Sequence, residues 1–227
     1  MTCIVRVYEM TTKVPEKVKN SRRPQQRAAE TRNVLLETAI EMFTTQGFDG
    51  VSIRALESTA GVQRGAVAYH FDNKEMLWKA AINRLLDRFA QYIDPLQAMM
   101  ADLNEEARLR AMIATTVRFA AQTPEFNRLM VQEGRSNTWR LQYLMDNFIR
   151  ARFAWLDEMV GLMSDPHAYY IALGASTLVF DVDHECRELF GVDPTTDAFI
   201  REHADRVAEV ILHLRHNHLG EKQPGGT

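Results

Sequence analysis

Between Gly61 and Phe71 the sequence reads GVQRGAVAYHF, with Gln63, Arg64, Tyr69 and His70 as its polar side chains and no carboxylate. An arginine in such a setting suits an anionic partner. Its guanidinium can grip a phosphate, or the O6/N7 edge of a guanine, through two parallel hydrogen bonds. The alternative for Arg64 is a merely solvated side chain. Lys74 follows at the start of the next helix, where the dipole disfavours a cation unless an anion compensates. Farther on, Asp181, His184 and Glu185 stand at i, i+3 and i+4 and would share a helical face. No second cluster with metal-ligand spacing accompanies them, so a solvated loop or helix end is the simpler reading. The chain has no Gly-rich phosphate loop, no nucleophile elbow and no His-Glu-x-x-His. No catalytic residue, metal or cofactor is therefore assigned, and the chain is not expected to be an enzyme.

A helix as short as the one that must carry Arg64, Tyr69 and His70 cannot stabilise itself. Its neighbours hold it either as filler or as a surface offered to a partner. The flanking sequence specifies those neighbours. Leu36, Ala39, Ile40 and Phe43 repeat at i, i+3, i+4 and i+7, which predicts a helix from about Gln25 to Gln46. Gly47 ends it in the left-handed position, and Phe48 folds back on Phe43. Asp49-Gly50 forms a turn, and Ser52 caps a helix from Ile53 to Ala60 that Gly61 stops. The next helix begins near Gln63 or Arg64 and is spent by Phe71. Asn73 then caps a long fourth helix, with Glu75 in its first turn. Two short helices separated by a Gly-centred turn, braced by longer ones, form a helix-turn-helix. The second short helix of that motif enters the DNA major groove by its N-terminal residues. Gly65 and Ala66 leave room for close approach, while Val62, Val67 and Phe71 face inward.

The remaining composition is consistent with an all-α chain. Of 227 residues 46% are hydrophobic, enough for a sizeable core. Two cysteines, Cys3 and Cys186, are too few for a disulfide framework and point to a reducing cytoplasm. No apolar run is long enough for a membrane span, and the N-terminus lacks a signal-peptide core. Residues 1–79 hold 12 Lys/Arg against 9 Asp/Glu, and residues 80–227 hold 15 against 21. The asymmetry hints at a nucleic-acid-facing front. Ile4 to Tyr8 is the one strand-like stretch, in an extension whose native start could be Met10. The expected organisation is a flexible basic tail (1–24), a helix-turn-helix unit (25–72), a helical ligand-binding and dimerisation domain (73–219) and a disordered C-terminal tail (220–227). Asp94-Pro95, Thr123-Pro124, Asp165-Pro166 and Asp193-Pro194 each predict a helix start, and further starts are expected at Glu105 and Asn137.

Over residues 25–90 the sequence resembles the TetR family of transcriptional regulators. The resemblance rests on Gly47-Phe48, Val51-Ser52-Ile53, Ala60-Gly61-Val62, Tyr69-His70-Phe71, Lys74-Glu75 and Leu77. It implies an all-α homodimer of about nine helices, with an N-terminal three-helix DNA-binding unit and a larger C-terminal domain holding a ligand cavity and the dimer seam. The family's DNA contacts carry over to Ser52, Arg64, Gly65, Ala66, Tyr69, His70 and Lys74. Arg54 and Gln63 are further candidates, and Arg27 and the tail before it could enter the minor groove. Two departures are visible: Gln63 stands where many members have Ser or Thr, and the aromatic residue is Tyr69, with Ala68 where many have Tyr. Tyr69 reaches phosphate or caps the small core, and His70 contacts phosphate or packs beside Phe71.

Beyond residue 90 the resemblance is architectural. Met99, Phe119, Phe126, Met130, Trp139, Tyr143, Trp155 and Met159 are soft or aromatic side chains that suit either a plastic apolar cavity or a plain core. The last two helices, roughly 166–190 and 195–219, are the expected dimer bundle. Its seam would use Ile171, Gly174, Ala175, Leu178, Phe199, Val207, Ile211 and Leu214, with intrachain packing as the alternative. The function so implied is a cytoplasmic repressor that binds a palindromic operator in double-stranded DNA as a homodimer and is released by a small apolar or amphipathic effector. The rivals are an all-α enzyme or metalloprotein with an incidental helix-turn-helix, and a DNA-binding regulator governed by a protein partner.

Overall fold

The computed structural model describes residues 22–100, 102–160 and 165–220. All regular structure among them is helical, with a small helix-turn-helix unit followed by a larger helical domain. The unit comprises α1 (Arg22–Gly50), α2 (Ile53–Thr59) and α3 (Ala66–Phe71). Leu35, Leu36, Ala39, Ile40 and Phe43 form the buried stripe of α1. Gly47, at φ 77° and ψ 162°, breaks α1 where the sequence predicts its end. Phe48 then stacks on Phe43, ring centres 5.8 Å apart. Ser52 Oγ accepts the Ala55 N–H at 3.1 Å and caps α2. The third helix starts later than expected, at Ala66. Gly65 takes a left-handed conformation (φ 89°) and prolongs the turn opened by Gly61.

The larger domain contains α4 (Lys74–Met100), α5 (Glu105–Gln122), α6 (Pro124–Gly134), α7 (Trp139–Leu144), a π-helical turn (Met145–Ile149), α8 (Arg150–Val160), α9 (Pro166–Asp181), α10 (Asp183–Phe190) and α11 (Asp197–Gly220). Asn73 caps α4 through the Met76 N–H, and Asn104, Thr138 and Asp165 cap α5, α7 and α9. Two starts expected from proline fall elsewhere. Pro95 lies inside α4, which continues past it to Met100. Proline within a helix costs about 3 kcal/mol, but Ile93, Leu96 and Met100 continue the buried stripe of Leu85 and Leu86 past it. Asp193 spends its carboxylate on Thr195 and Arg187 instead of capping α11. The helix expected over 166–190 is split at Val182 into α9 and α10.

Two apolar cores organise the chain. The first unites α1–α3 with the front of α4 and takes in Leu129 of α6 and Leu144 of α7. The second lies between α5, α9, α11 and the back of α4, where α11 packs most extensively on α5. Helix α4 therefore contributes to both. Arg84 and Arg88 of α4 hold Glu37 of α1 at 2.8 and 2.5 Å, and Arg88 also reaches Glu125 of α6 at 3.3 Å.

Candidate nucleic-acid interface

Helix α3 turns Val67 and Phe71 into the first core and leaves its other face outside. Ser52, Arg54, Gln63, Arg64 and Gly65 are exposed, and Tyr69 is 79% exposed. Ala66, His70 and Lys74 are half-buried. These residues lie along α2 and its cap, the α2–α3 turn, α3 and the start of α4. Tyr69 meets the His70 ring edge-on at 4.8 Å, and His70 leans on Phe71 at 6.2 Å. The Lys74 ammonium lies 4.4 Å above the Phe48 ring, so its stem and charge have an intrachain seat as well as an outward one. Arg27 is exposed on α1. Residues 1–21, which include Lys13, Lys17, Lys19 and the stretch Ile4 to Tyr8, lie outside the described residues, as do the side chains of Arg22 and Arg23.

One feature of the unit was not anticipated. Glu57 of α2 is only 5% exposed, and its Oε1 accepts the Gly65 N–H at 3.0 Å and the Val67 N–H at 2.9 Å. The first turn of α3 is thus capped by the preceding helix, because Gly65 has no side chain and Gln63 makes no capping bond. The readable clue is a charged residue three positions before Ala60, on the inward side of a short helix whose successor lacks a Ser or Thr cap.

A second unanticipated group joins this unit to the larger domain. Glu133, 2% exposed, takes the Arg140 Nε on both oxygens at 2.9 and 3.0 Å. The Arg140 guanidinium lies 4.8 Å above the Phe48 ring and 3.8 Å from Asp49. Gln132 Nε2 donates to the Phe43 carbonyl at 3.4 Å. Trp139 packs edge-on against Phe48 and Trp78 at 5.5 and 5.2 Å, and Tyr143 meets Trp78 at 5.8 Å. Helices α6 and α7 therefore grip the turn that ends α1.

The eight cavity candidates are dispersed. Trp139, Tyr143 and Met130 belong to the junction and the first core. Phe119 and Phe126 surround Phe89 with Phe148 in an aromatic cluster with centroids 4.9–5.8 Å apart. Met99 is exposed, and the Met159 side chain lies outside the described residues. Trp155 alone among the eight lines a cleft of about 630 Å³ between α4 and α8. One wall is a stripe of α4 with Asn83, Asp87, Asp94 and Gln97, and the other carries Phe148, Arg152 and Trp155. Arg152 pairs with Asp94 at 3.5 Å and lies over the Phe89 and Phe148 rings. Asp87 has no ion-pair or hydrogen-bond partner among the described residues.

The seam candidates divide by exposure. Ile171, Gly174, Leu178 and Leu214 are exposed, and Ala175 and Phe199 are half-buried. Val207 and Ile211 are buried inside the chain in the second core. Val210, half exposed, stands on the same side of α11 as Leu214. Asp181 faces α6, where Asn127 Nδ2 donates to its Oδ2 and Arg128 lies 3.9 Å from its Oδ1. Burial raises its pKa from the ordinary carboxylate value, against the lowering effect of these two neighbours. Asp183 pairs with Arg187. No group of three potential metal ligands is found among the described residues, and no helix among them is long and apolar enough to cross a membrane.

Residues 35–81, from the α1 stripe to the front of α4, match the family model described as bacterial regulatory proteins, tetR family. The chain is 23% identical over 193 residues to the HTH-type transcriptional regulator RutR of Escherichia coli strain K12, spanning 80% of this chain and 88% of that one. It is 33% identical over 86 residues to the HTH-type transcriptional repressor AcnR of Corynebacterium diphtheriae, across 37% and 45% of the two chains. The fold resembles that of the fatty acid degradation regulator FadR from Bacillus halodurans, with TM-score 0.58, 16% identity and 80% and 94% coverage. It also resembles AibR, solved in complex with isovaleryl coenzyme A and operator DNA, with TM-score 0.54, 16% identity and 79% and 97% coverage. With the matched segment falling on the helices and turn that expose Arg64 and Tyr69, residues 35–81 form a helix-turn-helix of the tetR family, and the chain is a DNA-binding transcriptional regulator.

Proposed function

We propose that the chain acts in the cytoplasm, without enzymatic activity, as a homodimeric repressor that holds a near-palindromic operator and releases it when an amphipathic small molecule occupies the cleft between α4 and α8. The observation that carries this reading is the path of α4. Its front packs on α3 and is tied to α1, while its back supplies one wall of the cleft. A ligand releases DNA only if it binds better to a dimer whose recognition helices are wrongly spaced. A ligand wedged against α4 meets that requirement by tilting the helix on which the DNA-binding unit rests. The cleft mixes Trp155 and Phe148 with amide and carboxylate groups, which suits a ligand with an apolar body and a polar edge. AibR, solved with isovaleryl coenzyme A and operator DNA together, offers a precedent within the same fold.

The test begins with the duplexes that the chain selects from a random pool. Near-palindromes with half-sites about one helical turn apart are expected. Amphipathic metabolites are then titrated into the complex while Trp155 fluorescence and DNA release are followed together. Quenching and release with a shared midpoint support the reading. Release without quenching would move the effector away from the cleft, and quenching without release would make the cleft irrelevant to regulation.

A further inference from the structure

We propose that Glu57 is a positioning residue for DNA reading: its carboxylate, supplied by α2, sets the orientation in which α3 presents Tyr69 and the turn before it presents Arg64. This rests on the DNA-binding role of α3. Six residues cannot hold a helix by themselves, and the usual local support is missing. The N-cap is Gly65, with no side chain, and Gln63 makes no capping bond. Of the N–H groups that the first turn leaves without intrahelical partners, Gly65 and Val67 are both taken by Glu57 Oε1, at 3.0 and 2.9 Å, across sequence separations of 8 and 10.

These two bonds bracket Ala66 and follow directly on Arg64, so they fix the peptide planes from which the reading side chains project. The carboxylate has no Lys, Arg or His within ion-pair distance among the described residues. Its charge is balanced by the two amides and by the positive end of the helix. The same bonds turn the Gly65 and Val67 amides inward, so these donors are not presented to a DNA phosphate. Discrimination then falls to side chains whose aim Glu57 determines.

Reach, and not charge, is what this role requires. Glu57→Gln keeps an oxygen at the Oε1 position, whereas Glu57→Asp keeps the charge but withdraws it by about 1.5 Å, one carbon–carbon bond. The experiment measures affinity for the duplex selected by the wild-type chain and for a scrambled duplex of equal length, using the full chain. E57Q is expected to keep the operator-to-scrambled ratio within about threefold of wild type. E57D and E57A are expected to lower it tenfold or more through the operator arm alone. Adding Gln63→Ser to E57A, which supplies a local cap, should recover part of the ratio. Equal losses on both duplexes, or loss in E57Q with retention in E57D, would overturn the proposal. Should E57D and E57A fail to fold, amide exchange in the wild-type chain decides. The Gly65 and Val67 amides must be protected well above that of Arg64, and equal exchange overturns the proposal.

Discussion

Arg64 stands exposed on the turn before α3, with no carboxylate partner among the described residues. If it reads a base edge, Arg64→Ala should cost about 1–3 kcal/mol of operator binding and relax specificity at one position of each half-site. Lys74→Ala should weaken all sequences alike and flatten the salt dependence. Binding isotherms at several salt concentrations, on the selected and a scrambled duplex, separate the two. Asp181 makes a different prediction, about stability. Its pKa is raised in the folded state, chiefly by burial, above the unfolded value near 3.8. Below that value both states are protonated. As pH rises through it the unfolded chain ionises first, and the folded state loses ground. Asp181→Asn removes this loss and keeps an oxygen for Asn127. The stability difference between variant and wild type, from denaturant midpoints, should therefore grow in the variant's favour from pH 3 to 7. An unchanged difference across that range would show that Asp181 ionises freely in the fold.

Among the elements, the grip of α6 and α7 on the end of α1 is the most demanding. Glu133 is buried with Arg140 as its ion-pair partner. Breaking such a pair from one side leaves an uncompensated charge and costs on the order of 3–5 kcal/mol. Arg140→Ala should lower the unfolding free energy by that amount, read as a lower denaturant midpoint at unchanged slope. Glu133→Gln, which still accepts from Nε, should lower it less. Cooperative loss of the whole chain is expected in both, since Leu129 and Leu144 share the first core with α1. A loss confined to α7 would show the grip to be peripheral. The capping residues of several other helices were legible in the sequence because a cap is a local bond, as Ser52, Asn73 and Asp165 demonstrate. Pro95 misled for the complementary reason: its local signal was overridden by the burial of Ile93, Leu96 and Met100 along one continuous stripe.

For the whole molecule, the proposed homodimer would bring a second copy against an exposed face of α9 and α11. Leu178 on α9 and Val210 on α11 are exposed, as are Ile171 and Leu214. Leu178→Glu and Val210→Glu together should give folded monomers that bind operator poorly, because two-fold DNA needs two linked recognition helices. Ile211→Glu should instead unfold the chain, since Ile211 is fully enclosed against α5 within one protomer. Light scattering with circular dichroism distinguishes the two outcomes. A double variant that is still dimeric would place the seam on another face.

Reading along the chain was enough for the all-helical fold of the described residues and for the helix-turn-helix, with its helix ends within a few residues. Each of these follows from local periods, caps and left-handed glycines such as Gly47 and Gly61, which act within one or two turns of chain. In the larger domain, by contrast, tertiary packing settled which apolar residues face inward. Val207 and Ile211 obey the same helical period as their exposed neighbour Val210, and which side of α11 turns to α5 depends on residues about a hundred positions away. The same holds for the soft and aromatic candidates with described side chains, which packing distributes among a junction, an aromatic cluster, a cleft wall and, for Met99, the surface. Glu57 was beyond local reading because its partners, Gly65 and Val67, are backbone amides whose direction exists only once α2 and α3 have docked.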